Sequence, residues 1–599
     1  MKRSALTNSS VLSRSLTVVL LAIGAIAFSA TLSACSKPDP VSNLAITDFS
    51  VSDLEKPNSV RDLEEGSEEE DSESEAAEGL DTPVAAAPVA AAPEATRPVG
   101  QQVDPRAQTV RPATPAKPYA QAIEILSGHS THQLVGEPWG SVKGMTMFRG
   151  NPSRTYYGTG PVPRTQPKTM WRYPDKPMCA ESCVGKSCKQ WCGLGWTGQP
   201  AVYERADGVT EVIFGAYDRQ VHFVDAATGK PTRPPFPTGD IIKGSVTVDP
   251  DGFPLLYFGS RDNKYRIVAL DRDVPTELFH LNGNKVRRRL WNDDWDSNGA
   301  IVSDRLFIGG ENSWFYVVKL NRGRDSQGKV KIDPVVEIEM PGWTEEMMKM
   351  LHPEKRDTMV SIESSPVVIG NRAYWTNSGG MVVGIDWTKV RNKQADIVFT
   401  FWTGDDVDST PVVDEKGHLY ISVQKELENG RSGRASRERV EEIGQLIKLD
   451  PMNPMNPLIW SVAIPSKRQG DKGGIWSTPA LDLKRGLLIV TTHPGDLLAV
   501  DRNTGREMWR TRLGHHEWSS PLVIGDSLVV GRCLHSGVQA FDLSAYGPSG
   551  GPGSSGPVPP SLWTTQAPRG CVESTPTMWR GRLYVGSRDG YFYGLAAEK

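Results

Sequence analysis

The sequence contains no adjacent pair of cysteines, no CxxC and no CxxCH. A covalently attached c-type haem and a thioredoxin-like dithiol are thereby excluded. It also lacks a basic patch interleaved with aromatic residues. With 67 Lys and Arg against 71 Asp and Glu, nothing points to a nucleic-acid partner. The apolar run that stands out, Leu16 to Phe28, is too short for a comfortable membrane span.

That run does fit a signal-peptide core, because Lys2, Arg3 and Arg14 precede it. Leu32-Ser33-Ala34-Cys35 follows and resembles the lipobox of bacterial lipoproteins, in which a peptidase cuts before a cysteine that carries diacylglycerol. The expectation is a leader over residues 1–34, an exported chain and one lipid anchor at Cys35. Ser36 in place of Asp goes with sorting to the outer membrane in Gram-negative lipoproteins. Residues 35–118 read as a tether. An acidic block (Glu64 to Glu75) and an Ala/Pro run (Pro83 to Ala95) bury too little apolar surface to fold. As a coil, such a tether spans about 50 Å.

Residues 119–599 are too long for one ordinary core, and internal repetition explains them. The clearest copies run from Ile475 to Gly514 and from Val572 to Ala596. Each has a short strand led in by Ser-Thr-Pro, a turn, a second strand of alternating Leu, Tyr and Val, a Gly/Asp turn, a third strand ending in Asp, and often a fourth starting at Trp. Such four-stranded units of about 40 residues are the size of a propeller blade. Eight of them begin near Trp196, Ile242, Asp296, Ile362, Val407, Ile475, Glu517 and Val572. The predicted fold is all-β: an eight-bladed propeller of antiparallel four-stranded blades. The last unit lacks its fourth strand, and the segment around Trp171 supplies it. The two ends of the domain would then close the ring and cover two sheet edges.

In such a blade the loop leading into the first strand and the loop joining second to third lie on one face. Cys533 and Cys571 fall on that face in neighbouring units and can pair. Cys179, Cys183, Cys188 and Cys192 also lie there, spaced as CxxxC, four residues, CxxxC. Residues at i and i+4 share a helix face, so a small helical hairpin turning near Val184 to Ser187 would join Cys183 to Cys188 and Cys179 to Cys192. Four thiolates could instead hold zinc, although structural zinc favours shorter CxxC knuckles and a reducing compartment. The insertions from Pro341 to Met359 and from Lys425 to Ile443 share this face; the Gly/Pro/Ser insertion from Gly547 to Ser561 lies on the other.

The residue before each Ser-Thr-Pro-like triplet should reach the mouth of the central channel: Thr197, Lys243, Asp296, Glu363, Asp408, Trp476, Trp518 and Glu573, with Arg261 and Arg588 on adjacent loops. Two readings stay open: a polar pocket for a cation or small ligand, or the ordinary polarity of a wetted channel rim. His493, His515, His516 and His535 gather at the sixth and seventh units and offer donors for a transition metal, although solvated rim histidines explain them more simply.

The stretches Ala499 to Trp509 and Val224 to Lys230 resemble the repeat of the pyrroloquinoline-quinone (PQQ) type eight-bladed propellers, and Met147 to Pro163 is similar to the lead-in of many bacterial members. Lipobox and propeller together resemble the lipoprotein family of the outer-membrane β-barrel assembly machinery, with a longer tether, added disulfides and larger insertions here. The resemblance implies one of two activities. One is a PQQ- and Ca²⁺-dependent dehydrogenase of alcohols or sugars, whose quinone commonly lies between a tryptophan and a disulfide of adjacent cysteines. The other, which the missing Cys-Cys pair favours, is a non-catalytic binding or scaffold module for envelope proteins or cell-wall material, with no cofactor of its own.

Overall fold

The structure is a computed structural model that describes residues 135–598 apart from 185, 352–359, 427–433, 467–471, 515, 534–536 and 547–556. The leader, the lipobox with Cys35, the tether, His515 and His535 therefore lie outside the described residues. No helix among the described residues is long and apolar enough to cross a membrane.

Eight antiparallel four-stranded blades form the propeller. Blade 6 shows how sequence becomes strand order. Ala480–Asp482, Leu487–Thr491, Asp496–Asp501 and Glu507–Arg512 pair in succession. LLIVT of the second strand is buried throughout because blades pack on both of its faces, whereas EMWRTR of the fourth buries only Met508 and Trp509 and leaves its two ends to solvent. First strands of neighbouring blades touch, which places them innermost. Apolar side chains fill the spaces between blades, so the core is a ring of wedges rather than one central body.

The repeat's Gly and Trp join one blade to the next. Gly505 and Gly229 adopt φ of +73° and +69°. A Cβ there would fall 2.8 Å from the Trp460 ring and 2.6 Å from the Trp171 ring, each on the preceding blade. Asp501 Oδ1 and Asp225 Oδ1 set these turns by accepting backbone N–H bonds from Thr504 and Thr228 at 2.9 and 2.8 Å. The indoles of Trp460 and Trp171 then donate to Arg502 O and Ala226 O, both at 3.1 Å.

Blade 8 takes three strands from Thr577–Trp579, Arg582–Gly586 and Phe592–Ala596, and its fourth from Lys168–Tyr173. Lys168 pairs with Ala596, and Tyr173 with Phe592, with a bulge between Thr169 and Trp171. The ring is closed by the N-terminal strand, as its missing counterpart predicted.

Residues 144–159 line the inner wall and bond to all eight blades. Gly144–Met145 adds a fifth, inner strand to blade 1. Thr146 O, Pro152 O and Ser153 O accept from Val248, Val368 and Val413 of blades 2, 4 and 5 at 2.7, 3.0 and 3.3 Å. Tyr157 Oη accepts from Leu481 N of blade 6 at 2.7 Å, and Thr159 N donates to Met578 O of blade 8 at 3.3 Å. Arg154 reaches Asn298 O of blade 3 at 3.0 Å and Pro366 O of blade 4 at 2.8 Å; Arg149 reaches Pro521 O of blade 7 at 2.6 Å. An inner sheet edge would otherwise leave these groups unpaired in a dry channel. Both guanidiniums are fully buried with carbonyl partners, and burial lowers their pKa to about 10 for Arg149 and about 9 for Arg154. Both therefore remain charged at neutral pH, held by dipoles rather than by acids.

Candidate functional site at the channel mouth

Phe148 of this axial segment floors a recess at the mouth of the channel. Thr197, Glu363, Asp408, Trp196 and Trp476 line it. The recess measures about 270 Å³ counting its open side, but its enclosed part has room for about one water-sized body.

One wall is aromatic. Trp476 and Trp518 stack with ring centroids 4.6 Å apart and planes 7° from parallel, and Trp196 meets Trp476 edge-on at 5.7 Å. All three are buried, at 7, 4 and 8 % exposure for Trp196, Trp476 and Trp518. His493 belongs to this stack: its ring lies 5.3 Å from Trp476, and its Nδ1 accepts from Trp518 Nε1 at 2.8 Å. His516 packs 5.0 Å from Trp518, and its Nε2 lies 3.1 Å from Cys533 Sγ. The structure thus brings His493 and His516 together by ring packing, with centroids 6.1 Å apart.

The other wall is acidic. Lys243 Nζ lies 2.7 Å from Asp296 Oδ2, and Arg261 Nε donates to Asp294 Oδ2 at 2.6 Å. Carboxylate oxygens of Asp296, Glu311 and Glu363 lie within 4.8 Å of one another. Beside them Asp408 accepts from Gln424 Nε2 at 2.7 Å and from Ser378 Oγ at 3.2 Å. Asp406 is buried next to Asp408. Burial, reinforced by the neighbouring acids, raises the pKa of Glu311, Glu363 and Asp406 well above the carboxylate range. Burial also lifts Asp294 to about 7, against the pull of Arg261. Crowded like charges in a dry site must bind either protons or a cation.

Sequence reasoning named Asp296, Glu363 and Asp408 but missed Asp294, Glu311 and Asp406. A usable signal existed for all three. Asp294 and Asp406 stand two residues before Asp296 and Asp408, hence on the same side of an extended chain. Glu311 comes from the loop between second and third strands of blade 3, two residues after Gly309, the place that Arg261 holds after Gly259 and Arg588 after Gly586. Glu573 and Arg588 face one another at 3.7 Å on blade 8. Thr197 Oγ1 donates to Lys243 O at 2.9 Å, linking blades 1 and 2.

The cysteine cluster corrects one expectation. Cys179–Val184 and Ser187–Cys192 form a β-hairpin, not a helical one. Cys179 is joined to Cys192 and Cys183 to Cys188, with Cα atoms 4.1 and 4.0 Å apart. The physical reason lies in the spacing: a separation of four puts residues on one face of a helix and also on one face of a strand. Trp191 pins the hairpin to the face, with the guanidiniums of Arg588 and Arg261 at 5.3 and 5.9 Å from its ring. The third disulfide joins Cys533 to Cys571. Glu517 accepts from Cys533 N at 2.9 Å, and burial pushes its carboxyl up to about 8. The helix Glu345–Met350 precedes the first strand of blade 4, and the helix Arg434–Ile443 joins the second and third strands of blade 5.

Comparison with known proteins gives three findings. A family model described as "Outer membrane protein assembly factor BamB" matches residues 444–545, from blade 5 into blade 7. No curated protein matches the chain. Similar solved structures include the quinohemoprotein alcohol dehydrogenase from Comamonas testosteroni (11 % identity, 80 % of this chain and 84 % of that one, TM-score 0.49). They also include Sqt1 from Saccharomyces cerevisiae (10 %, 65 % and 93 %, 0.43). A third is BamB from Moraxella catarrhalis (12 %, 72 % and 98 %, 0.31).

A quinone cofactor of the PQQ type needs an open aromatic face on which its ring system can lie. Trp196, Trp476 and Trp518 instead pack on one another below a tenth exposure, above a floor closed by Phe148. The residues present do not fit that group.

Proposed function

We propose that this chain is a non-catalytic binding module of the cell envelope, anchored through a lipid on Cys35 and engaging envelope proteins or cell-wall material through its channel-mouth face. The observation that carries this reading is the combination of a channel whose inner wall is bound by residues 144–159 and a mouth whose aromatic rings are packed on each other. A dehydrogenase would need a slot there for cofactor and substrate. What lies there suits a rigid contact surface: the disulfide-stapled hairpin Cys179–Cys192, the bridge Cys533–Cys571 and two short helices, all carried on one face. The family match over residues 444–545 is consistent with an envelope setting.

The test uses the full chain. Equilibrium dialysis with PQQ and Ca²⁺ should leave no quinone absorbance on the protein, and dyes should not be reduced with alcohols or sugars. Photo-crosslinkers at the exposed Gln190 and Lys349, on the loop-rich face, should capture a defined envelope component from intact cells, whereas one at Lys484, on the opposite rim, should not. Stoichiometric quinone with turnover would overturn the proposal. Cys35→Ala should move the protein from the membrane to the soluble fraction.

A further inference from the structure

We infer that Asp296, Glu311 and Glu363 form a binding site for a hard divalent cation, Ca²⁺ in the first instance, that works without any organic cofactor. The inference rests on the reading of this face as a binding surface and names a ligand for it.

Three observations converge. The first is donor geometry: carboxylate oxygens from the lead-in of blade 3, its second-to-third loop and the lead-in of blade 4 lie within 4.8 Å of one another. Oxygen donors alone, from three separate chain segments, suit a hard ion and give no preference to zinc or copper. Second, Glu311 is 2 % exposed, and its Oε1 has no hydrogen-bond partner although it sits in this group. A buried carboxylate oxygen without a donor is costly unless something positive meets it. Third, the local charge does not balance. Lys243 reaches Asp296 at 2.7 Å, which leaves the carboxyls of Glu311 and Glu363 to be met by protons or by a cation. One divalent ion meets both. Arg261 does not contribute, because it is already engaged with Asp294 at 2.6 Å.

The ligand set is independent of the aromatic wall, where Trp476 and Trp518 are closed on each other. Bound there, the ion would draw together the leads of blades 3 and 4 and the loop of Glu311, fixing the charge and shape of the acidic half of the face. Water would complete its coordination on the side towards the channel mouth.

The test needs no partner molecule. Full-length protein stripped with EDTA is titrated with Tb³⁺ under tryptophan excitation, since Trp295 adjoins Asp296 in the chain and Trp196 and Trp476 line a recess with Glu363. Sensitised Tb³⁺ emission should appear at one site per chain and be displaced by Ca²⁺. Ca²⁺ should also raise the melting temperature of the wild-type chain. Glu311→Gln removes a ligand without changing side-chain size. It should weaken the Tb³⁺ affinity by more than the roughly 10–100-fold that even a supporting residue is worth. In EDTA the same variant should melt no lower than wild type, because it loses a buried acid. Should Glu311→Gln fail to fold, Glu363→Gln serves the same comparison. No emission up to millimolar Tb³⁺, or equal Ca²⁺ stabilisation of wild type and variant, would overturn the site. Ca²⁺ binding with no partner captured at this face would instead count against the binding-module reading alone.

Discussion

Arg149 holds the carbonyl of Pro521 at 2.6 Å across 372 residues of chain. The same guanidinium also donates to Pro479, while Arg154 serves Asn298 and Pro366 on the far side of the axis. Arg149→Ala would leave buried carbonyls unpaired, each costing about 1–3 kcal/mol. A loss of about 3 kcal/mol or more in unfolding free energy is expected, read as a lower denaturant midpoint. Arg149→Lys should recover only part of it, since a single ammonium cannot reproduce the planar fork.

Trp171 is the mechanical centre of the ring seam. It stacks 6.0 Å from Phe592 of its own blade and lies against Gly229 of blade 1. Trp171→Ala should cost about 3–5 kcal/mol, the range for deleting a large buried aromatic. It should also speed proteolysis at both ends of the domain. Unchanged protease resistance would argue that the seam is held elsewhere.

The disulfides should contribute unequally. Cys533–Cys571 closes a separation of 38 residues between two blades, and Cys183–Cys188 only 5 within one hairpin. Loop-closure reasoning assigns about 4 kcal/mol to the first and about 2 to the second as upper values. Replacing both members of each pair by serine and comparing denaturant midpoints checks the order.

Stability without added cation should fall as pH rises from about 5 to 8. Burial raises Glu517 to about 8 and Asp294 to about 7, and lifts Glu311 and Glu363 well above ordinary carboxylates, which titrate near 4 when unfolded. In that window the folded chain holds more protons than the unfolded one. The stabilisation is therefore complete below about pH 4 and lost as pH passes through the folded values. Melting curves in EDTA across this range measure it, and Glu311→Gln should flatten the slope.

The architecture was legible because a blade repeats its own instructions. Ser-Thr-Pro led the chain inward, Asp501 and Gly505 turned it, and Trp509 marked the outer strand. The orphaned Trp171 even announced the seam. The hairpin of Cys179–Cys192 was less legible because its spacing satisfies two periodicities at once. Arg149 was not legible at all, whereas Glu311 could have been found at the repeat position of Arg261 and Arg588. Arg149 acts outside any repeat and derives its role from Pro479 and Pro521, chain that meets it only once the later blades are in place.

The seam also sets an order of events. Lys168 and Glu598, ion-paired at 2.7 Å beside the closing strand, lie 430 residues apart, with all the other blades between them. A polypeptide emerging into its compartment therefore carries an unlatched sheet edge at each end until almost the whole of it has arrived. Any fragment cut short within the last blade keeps both edges bare, and bare edges invite aggregation or degradation. The ring thereby serves as its own test of completeness, passed only by a chain that has been delivered whole.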